Sequence, residues 1–207
     1  MEASPATAAP LSPAPGDIRR FFTGALVDLP ALSRWLDELP DALRPEALAR
    51  LSKREMAALY HAAEGFRPIT LEHFVPADRA PLEEVIHEGH NSLLAFTRFQ
   101  KRFCRPTEAS ERLWGYNEQP TRGVVGPGYF ITRPQGPGEL LLDYTELPSE
   151  RPEAWPPIAL NERGLSRFVY AGMQDLARGV SEHAIIGRVM RRGVWQEVYF
   201  SLCRVDP

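Results

Sequence analysis

Five short runs between Gly123 and Val205 decide the fold: VVGPGYFIT (124–132), ELLLDYTEL (139–147), SRFVYAGM (166–173), HAIIGRVM (183–190) and WQEVYFSLCRV (195–205). Each run is rich in β-branched and aromatic residues, and Gly, Pro or Ser clusters separate the runs, which is typical of strands. The segment RPQGPG (133–138) between two of them predicts a hairpin connection. The pattern therefore predicts an antiparallel sheet that is strongly curved or closed into a small barrel.

Neither face of these strands is cleanly polar. Such a mixture favours a sheet that helices cover on one side and that closes over a cavity on the other. The polar and aromatic side chains that could line the cavity are Asp143, Tyr144, Tyr170, Asp175, Arg178, His183 and Arg188. From this set, we take Tyr170, Asp175, His183 and Arg188 as candidate ligand-binding residues. The alternative is that they form salt bridges and cross-strand pairs on a solvated face.

The N-terminal part of the chain predicts short helices. Asp17 is a suitable N-cap for the segment 18–29, and Ser52 followed by Glu55 is the pattern of a capping box. Gly65 then provides a stop signal. Because such short helices are unstable alone, we expect them to pack on the sheet.

A longer amphipathic helix is expected in SLLAFTRFQKRF (92–103), with Asn91 as its N-cap. Helical spacing places an apolar group on one side of it: Leu93, Phe96, Phe99 and Phe103. It places a basic group on the other side: Arg98, Lys101, Arg102 and Arg105. This basic face predicts a site for an anion such as phosphate, or for an acidic protein partner, although solubility alone would also produce it.

The composition places the chain in a broad class. Its 207 residues are 43% hydrophobic and 25% charged, as in an ordinary soluble globular protein, and the net charge of −3 makes nucleic acid an unlikely partner. No apolar run reaches the ~20 residues of a membrane span, and the start of the chain lacks the pattern of a secretory signal. Two cysteines make no disulfide framework, so we expect a cytoplasmic location. Residues 1–16, rich in Ala and Pro, predict a disordered tail.

Motifs for cofactors and metals are weak. His87 and His90 form an HxxH pattern that could join His73 in a metal site, but Gly89 interrupts it and no further ligand stands at a suitable spacing. We therefore expect no metal. The phosphate-binding glycine motifs, the GxSxG nucleophile elbow and CxxC are also missing, so we expect no cofactor, and the catalytic residues, if any, are unknown.

Three functions are compatible with a single α+β domain over residues 17–207, in which the short helices and the amphipathic helix pack on the curved sheet. The first is binding of a small, largely apolar ligand in the concavity of the sheet. The second is an enzyme that uses Asp175, His183 and Tyr170 as an acid–base set. The third is an adaptor that binds a protein through the basic face at 98–105.

Overall fold

A computed structural model of the chain describes residues 16–94 and 97–205. The predicted disordered tail lies outside these residues, apart from Gly16, and so does Phe96. The N-terminal elements are a 3-10 turn (Ile18–Phe21), the paired strands β1 (Phe22–Thr23) and β2 (Leu26–Val27), and the helices α1 (Leu29–Glu38), α2 (Leu43–Leu48), α3 (Lys53–Ala62) and α4 (Leu71–Phe74). No helix in the described ranges is long and apolar enough to cross a bilayer.

The predicted caps at Asp17, Ser52 and Gly65 are confirmed, but the segment 18–29 is not a continuous helix, because β1 and β2 follow the 3-10 turn. The side chain of Asp17 accepts a hydrogen bond from the backbone N–H of Arg19 at the start of the 3-10 turn. Ser52 and Glu55 form a complete capping box at the start of α3. Gly65, with a φ of +66°, follows the end of α3 and adopts the left-handed conformation that glycine favours.

A closed barrel of eight antiparallel strands forms the centre of the fold. Its strands are β3 (Val85–Asn91), β4 (Arg98–Cys104), β5 (Leu113–Glu118), β6 (Phe130–Pro134), β7 (Leu140–Asp143), β8 (Met173–Gly179), β9 (Ala184–Arg191) and β10 (Val194–Val205). Each strand pairs with the next one along the chain, and β10 pairs with β3 to close the barrel. The predicted α+β class with a small barrel is confirmed, and so is the 133–138 hairpin.

The connections alternate between the two ends of the barrel. The end reached after β3, β5, β7 and β9, here called the upper end, carries the connections 92–97, 119–129, 144–172 and 192–193. Two short helices lie in these connections, α5 (Arg122–Val125) and α6 (Ser166–Val169). At the lower end, α4 contributes Phe74 to the apolar core inside the barrel.

Helices cover the outer face of strands β9 and β10, which explains why neither face of the predicted strands is polar. Met56, Leu59 and Tyr60 of α3 pack in one apolar core with the outward-facing side chains of Tyr199 and Cys203. The inward-facing neighbours Phe200 and Leu202 belong to a second core inside the barrel. The same strands are therefore buried on both sides.

The helix predicted at 92–103 is wrong. Its C-terminal half is strand β4, in which Lys101 pairs with His87 of β3 and with Asn117 of β5. The residues Phe99, Lys101 and Phe103 alternate along one face, and pairing on both sides gives the backbone the hydrogen bonds that a lone helix would have supplied. The run 166–173 is also mostly not a strand, because α6 occupies its start and β8 begins at Met173.

Candidate functional site

A cluster of polar side chains lies buried inside the barrel. The ammonium Nζ of Lys101 donates to Asn117 Oδ1 at 2.9 Å, to Asp175 Oδ2 at 3.2 Å and to the hydroxyl of Tyr144. The side chains of Lys101 and Asp175 are only 3% and 2% exposed. We call Lys101, Asn117, Tyr144 and Asp175 the interior polar cluster.

Aromatic rings surround the ammonium group of Lys101. The atom Nζ lies 4.9 Å from the ring centres of Phe130 and Tyr144, 5.3 Å from that of Phe200 and 5.6 Å from that of Phe99. At these distances, the electron-rich ring faces attract a cation. The ammonium group thus lies among four aromatic rings inside the barrel.

Three inward-facing glycines make room for these rings. A Cβ atom at Gly89 would lie 2.6 Å from the ring of Phe99, one at Gly115 would lie 2.4 Å from Phe130, and one at Gly187 would lie 2.2 Å from Phe200. Any larger residue at these positions would displace one of the four rings around Lys101, which we call the aromatic cage. The glycines of strands β3, β5 and β9 therefore position the aromatic rings around Lys101.

Burial and charge act against each other in the cluster. Burial lowers the pKa of Lys101 and raises the pKa of Asp175, while the attraction between the two groups opposes both shifts. Burial also raises the pKa of Tyr144 well above its usual value, so this phenol stays protonated. Each charge is therefore stable inside the barrel only beside the other.

Two buried oxygens, one in the cluster and one beside it, have no hydrogen-bond partner among the described residues. They are Oδ1 of Asp175 and Oγ1 of Thr132. Leu142 pairs with Thr132 on one side and with Asp175 on the other, so the two polar residues share the inward face of three neighbouring strands. Since buried polar atoms normally find a partner, these oxygens mark a place where a hydrogen-bond donor would be stabilised.

Tyr170 covers the cluster from the upper end. Its ring is stacked on that of Tyr144, with ring centres 5.6 Å apart and planes 2° from parallel. Its hydroxyl accepts a hydrogen bond from Gln119 Nε2 at 2.9 Å. Gly128, with a φ of +55°, lies directly against the ring, since a Cβ there would be 2.4 Å from it. The connection 119–129 thus holds Tyr170 in place against Tyr144.

The structure brings together only part of the predicted ligand-binding set. Asp175 and Tyr170 both lie inside the barrel, on either side of Tyr144. His183 lies at the lower end, where its Nδ1 is 3.1 Å from Nη2 of Arg204. Arg188 bonds to Glu197 on the outer face. The proposed acid–base pair of Asp175 and His183 is therefore not formed, and no finding tests the binding roles themselves.

The predicted basic face does not exist as a single surface. Its four members have separate partners: Arg98 pairs with Glu46, Arg102 with Glu84, Arg105 with Glu72, and Lys101 with Asp175. Lys101 points into the barrel because alternation along β4 places it between Phe99 and Phe103. The role of Arg98, Lys101, Arg102 and Arg105 in binding an anion or a partner stays an untested prediction, but their arrangement on a helix is wrong.

A concavity lies outside the barrel at its lower end. It is a groove of about 370 Å³, and its polar lining includes Arg67, Glu72, His73, Glu182 and Arg204. Burial, and then the nearby positive groups, lowers the pKa of His73 to about 3, so this imidazole is neutral. With cations and carboxylates on both sides, the groove has no single charge preference.

The HxxH pattern does not assemble a metal site. His87 faces into the barrel, where its Nε2 lies 2.9 Å from the carbonyl oxygen of Phe74, whereas His90 is three positions further along the same strand and faces the other way. Within residues 16–94 and 97–205, no group of three His, Cys, Asp or Glu side chains could hold a metal ion.

Lys101 is the residue whose place the sequence reasoning missed. A period-two reading of Phe99, Lys101 and Phe103, beside Val85 and His87 in the preceding run, would have indicated an inward-facing lysine.

Comparison of the chain with protein-family models gives no match, and comparison with curated proteins gives none either.

Proposed function

We propose that the barrel binds a small, largely apolar molecule whose polar group lies against the interior polar cluster. One observation carries the proposal: Asp175 and Thr132 each have a buried acceptor oxygen without a described partner, inside a barrel whose remaining lining is mostly apolar and aromatic. Ligand pockets commonly combine such walls with a few converging polar groups. An eight-stranded barrel is wide enough for one small ligand when some of its side chains move aside.

The apolar character of the proposed ligand follows from the barrel walls. The core inside the barrel includes Leu140, Leu142, Ile185 and Leu202, all of which are at most 1% exposed. A ligand that packs against these side chains gains by removing its own apolar surface from water, at about 25 cal/mol per Å². A strongly polar ligand would lose its hydration without equivalent partners.

The polar group of the ligand is inferred to be neutral and to carry a hydrogen-bond donor, such as a hydroxyl. Lys101 and Asp175 already neutralise each other, so the cluster has no surplus charge for an ionic group. Of the two oxygens without a partner, Oδ1 of the Asp175 carboxylate can only accept a hydrogen bond, and the hydroxyl of Thr132 can accept or donate one. A carboxylate ligand would be repelled by Asp175, and an ammonium ligand would compete with Lys101.

Entry is proposed at the upper end of the barrel. Tyr170 covers the cluster there, and it is held by Gln119 and by stacking rather than by a strand. Phe99 and Met173, near the same end, are only partly buried. Rotation of the Tyr170 side chain away from the ring of Tyr144 would open a path to the cluster without breaking any strand pair.

Three naphthalene probes of similar shape test the choice of polar group: naphthol, naphthalene and naphthoate. Their affinities, measured by calorimetric titration, should fall in that order at neutral pH, because only naphthol can donate to Asp175 or Thr132. Thr132→Val keeps the side-chain shape and should weaken naphthol about tenfold, the typical effect of one hydrogen bond, while leaving naphthalene unchanged.

The matched control for this variant is Thr145→Val. Thr145 carries its hydroxyl outside the barrel, where it donates to Asp143 at 2.6 Å, so its loss should leave naphthol binding unchanged. Equal binding of all three probes, or an equal effect of both threonine variants, would contradict the proposed polar group. If no probe binds even at high concentration, interior binding of a small apolar molecule is itself refuted.

The other two hypotheses receive less support. The acid–base set is not assembled, because His183 contacts Arg204 at the lower end of the barrel, away from Asp175 and Tyr170. The basic surface expected for an adaptor does not include Lys101, because this residue lies inside the barrel. The cytoplasmic location stays part of the proposal.

A further inference from the structure

The upper end of the barrel gathers almost all the exposed large apolar side chains of the described chain. Those on its connections and on the first residues of β10 are Leu93, Leu94, Val124, Leu160, Leu165, Phe168, Val169, Val194 and Trp195. In the described ranges, only Leu26 and Phe66 are exposed large apolar residues outside this set. Isolated exposed apolar residues are ordinary, but their concentration at one end of a molecule marks an interaction surface.

Arginines lie among these apolar residues. Arg163, Arg167 and Arg192 are exposed and form no ion pair with any carboxylate that the structure describes. The guanidinium of Arg167 lies 4.6 Å from the ring centre of Phe168. The carboxylates of Glu118, Glu146 and Glu197 on the same connections and strand ends are paired with arginines, and Glu150 bonds to Thr107. In the described ranges, this leaves Glu153 and Glu162 as the exposed acids of these connections without an ion pair.

A fourth arginine fixes the position of α6. Arg191 donates to the backbone carbonyl oxygens of Phe168 and Val169 at the end of this helix. Ser166, at the start of α6, donates to the carbonyl oxygen of Val125 at the end of α5. The two short helices are thereby joined to each other and to β9, so that Val124 and Phe168 are presented by one supported surface.

We propose that the upper end is a docking surface for anionic lipid bilayers. We call its exposed set, Leu94, Val124, Leu165, Phe168 and Trp195 with Arg163, Arg167 and Arg192, the upper rim. Side chains of this size can enter the boundary between headgroups and acyl chains, and the arginines suit the negative potential of anionic lipid. The proposal is independent of the ligand inside the barrel.

Charge decides between a bilayer and a second copy of the chain. The whole chain is acidic, with a net charge of −3, so two copies repel each other on average. The upper rim has the opposite sign, since its three arginines without an ion pair outnumber the two exposed acids without one on the same connections, Glu153 and Glu162. Its apolar side chains come from four separate connections or strand ends, as suits shallow insertion at several points.

Sedimentation with lipid vesicles tests this proposal on the full chain. We expect the protein to bind vesicles in which about a third of the lipid is phosphatidylglycerol, to bind pure phosphatidylcholine at least ~10-fold more weakly, and to be released as ionic strength approaches ~1 M. The triple variant Arg163→Gln, Arg167→Gln, Arg192→Gln should lose at least ~10-fold in affinity for the anionic vesicles. Phe168→Ser with Leu94→Ser should lose a similar amount.

Matched controls come from the two exposed apolar residues and two exposed cations elsewhere. Leu26→Ser with Phe66→Ser, and Lys53→Gln with Arg54→Gln, should bind the anionic vesicles as the wild type does. Circular dichroism and the unfolding midpoint of each variant show that the barrel is intact. A variant that fails this check is replaced by the single change Phe168→Ser or Arg192→Gln.

Four results would overturn the proposal. The first is no binding to anionic vesicles, and the second is equal binding to neutral and anionic vesicles. The third is a dimer in light scattering that Phe168→Ser abolishes while vesicle binding is missing, which would assign the upper rim to self-association. An effect of the control variants equal to that of the rim variants would refute the location.

Discussion

Lys101 and Asp175 form an ion pair across the barrel, although their strands β4 and β8 lie on opposite sides of it. Four strand positions separate these strands in a closed circle of eight, and the long lysine side chain reaches over the interior to bring Nζ within 3.2 Å of Oδ2. The pair therefore connects two walls that no backbone hydrogen bond joins directly. It also fixes the position of the polar group around which ligand binding is proposed.

Breaking this pair should destabilise the barrel strongly. Lys101→Met leaves Asp175 buried without its cation, and we expect a loss of about 3–5 kcal/mol in the free energy of unfolding, measured by urea titration. The double variant Lys101→Met, Asp175→Leu should recover most of this loss, because an apolar pair avoids the cost of burying charge.

The exposed pair of Arg98 and Glu46 supplies the control for that experiment. Its side chains are 62% and 52% exposed, and Arg98→Gln should change stability by less than about 1 kcal/mol. If Lys101→Met is as mild as Arg98→Gln, the ammonium does not lie in the barrel interior as described.

Stability should fall in mild acid because of His73. Burial lowers its pKa to about 3 in the folded chain, against 6.5 for an ordinary histidine. The folded state favours the neutral imidazole. The contribution of His73 to the free energy of unfolding is therefore complete above about pH 6.5 and is lost as pH falls from there towards 3. At about pH 5 the loss attributable to His73 is up to about 2 kcal/mol.

His73→Gln should flatten this part of the stability curve, measured as the free energy of unfolding between about pH 7 and pH 5. His61→Gln, at an exposed position of α3, is the matched substitution in the same assay. A wild-type slope in His73→Gln would show that this imidazole is not buried in neutral form.

Gly187 should tolerate no side chain. A Cβ atom there would lie 2.2 Å from the ring of Phe200, so Gly187→Ala must displace part of the aromatic cage, and we expect a loss of about 1–3 kcal/mol in thermal or urea unfolding. Gly123→Ala is the matched change, since nothing lies within 4 Å of its Cβ position and it is part of α5. Equal effects of the two substitutions would contradict the packing of the Phe200 ring against Gly187 of β9.

Much of the fold could be predicted from local patterns. The capping box at Ser52 and the hairpin at 133–138 depend on a few neighbouring residues, and both were confirmed. Closure of the barrel depends on pairing between β3 and β10, which are more than 100 residues apart, and local patterns carry no information about it. The sequence could therefore predict a sheet that is either strongly curved or closed into a barrel, without deciding between the two.

The central residue of the candidate site was missed for a related reason. The spacing of Phe99 and Phe103 fits one face of a helix as well as one face of a strand, and only the intervening Lys101 distinguishes the two readings. Because charged residues usually lie on the solvent side, the helical interpretation, which exposes Lys101, was preferred to a strand that buries it. Asp175, the partner that makes a buried lysine stable, lies 74 residues further along the chain.

Native mass spectrometry of the protein purified from its own host tests the central claim most directly. The account predicts that part of the protein carries one small molecule, that its fragmentation identifies a largely apolar compound with a hydroxyl or similar neutral donor, and that Thr132→Val retains less of it than Thr145→Val does. The contradicting result is a wild-type mass equal to that of the chain alone under gentle conditions, together with no binding of naphthol or naphthalene.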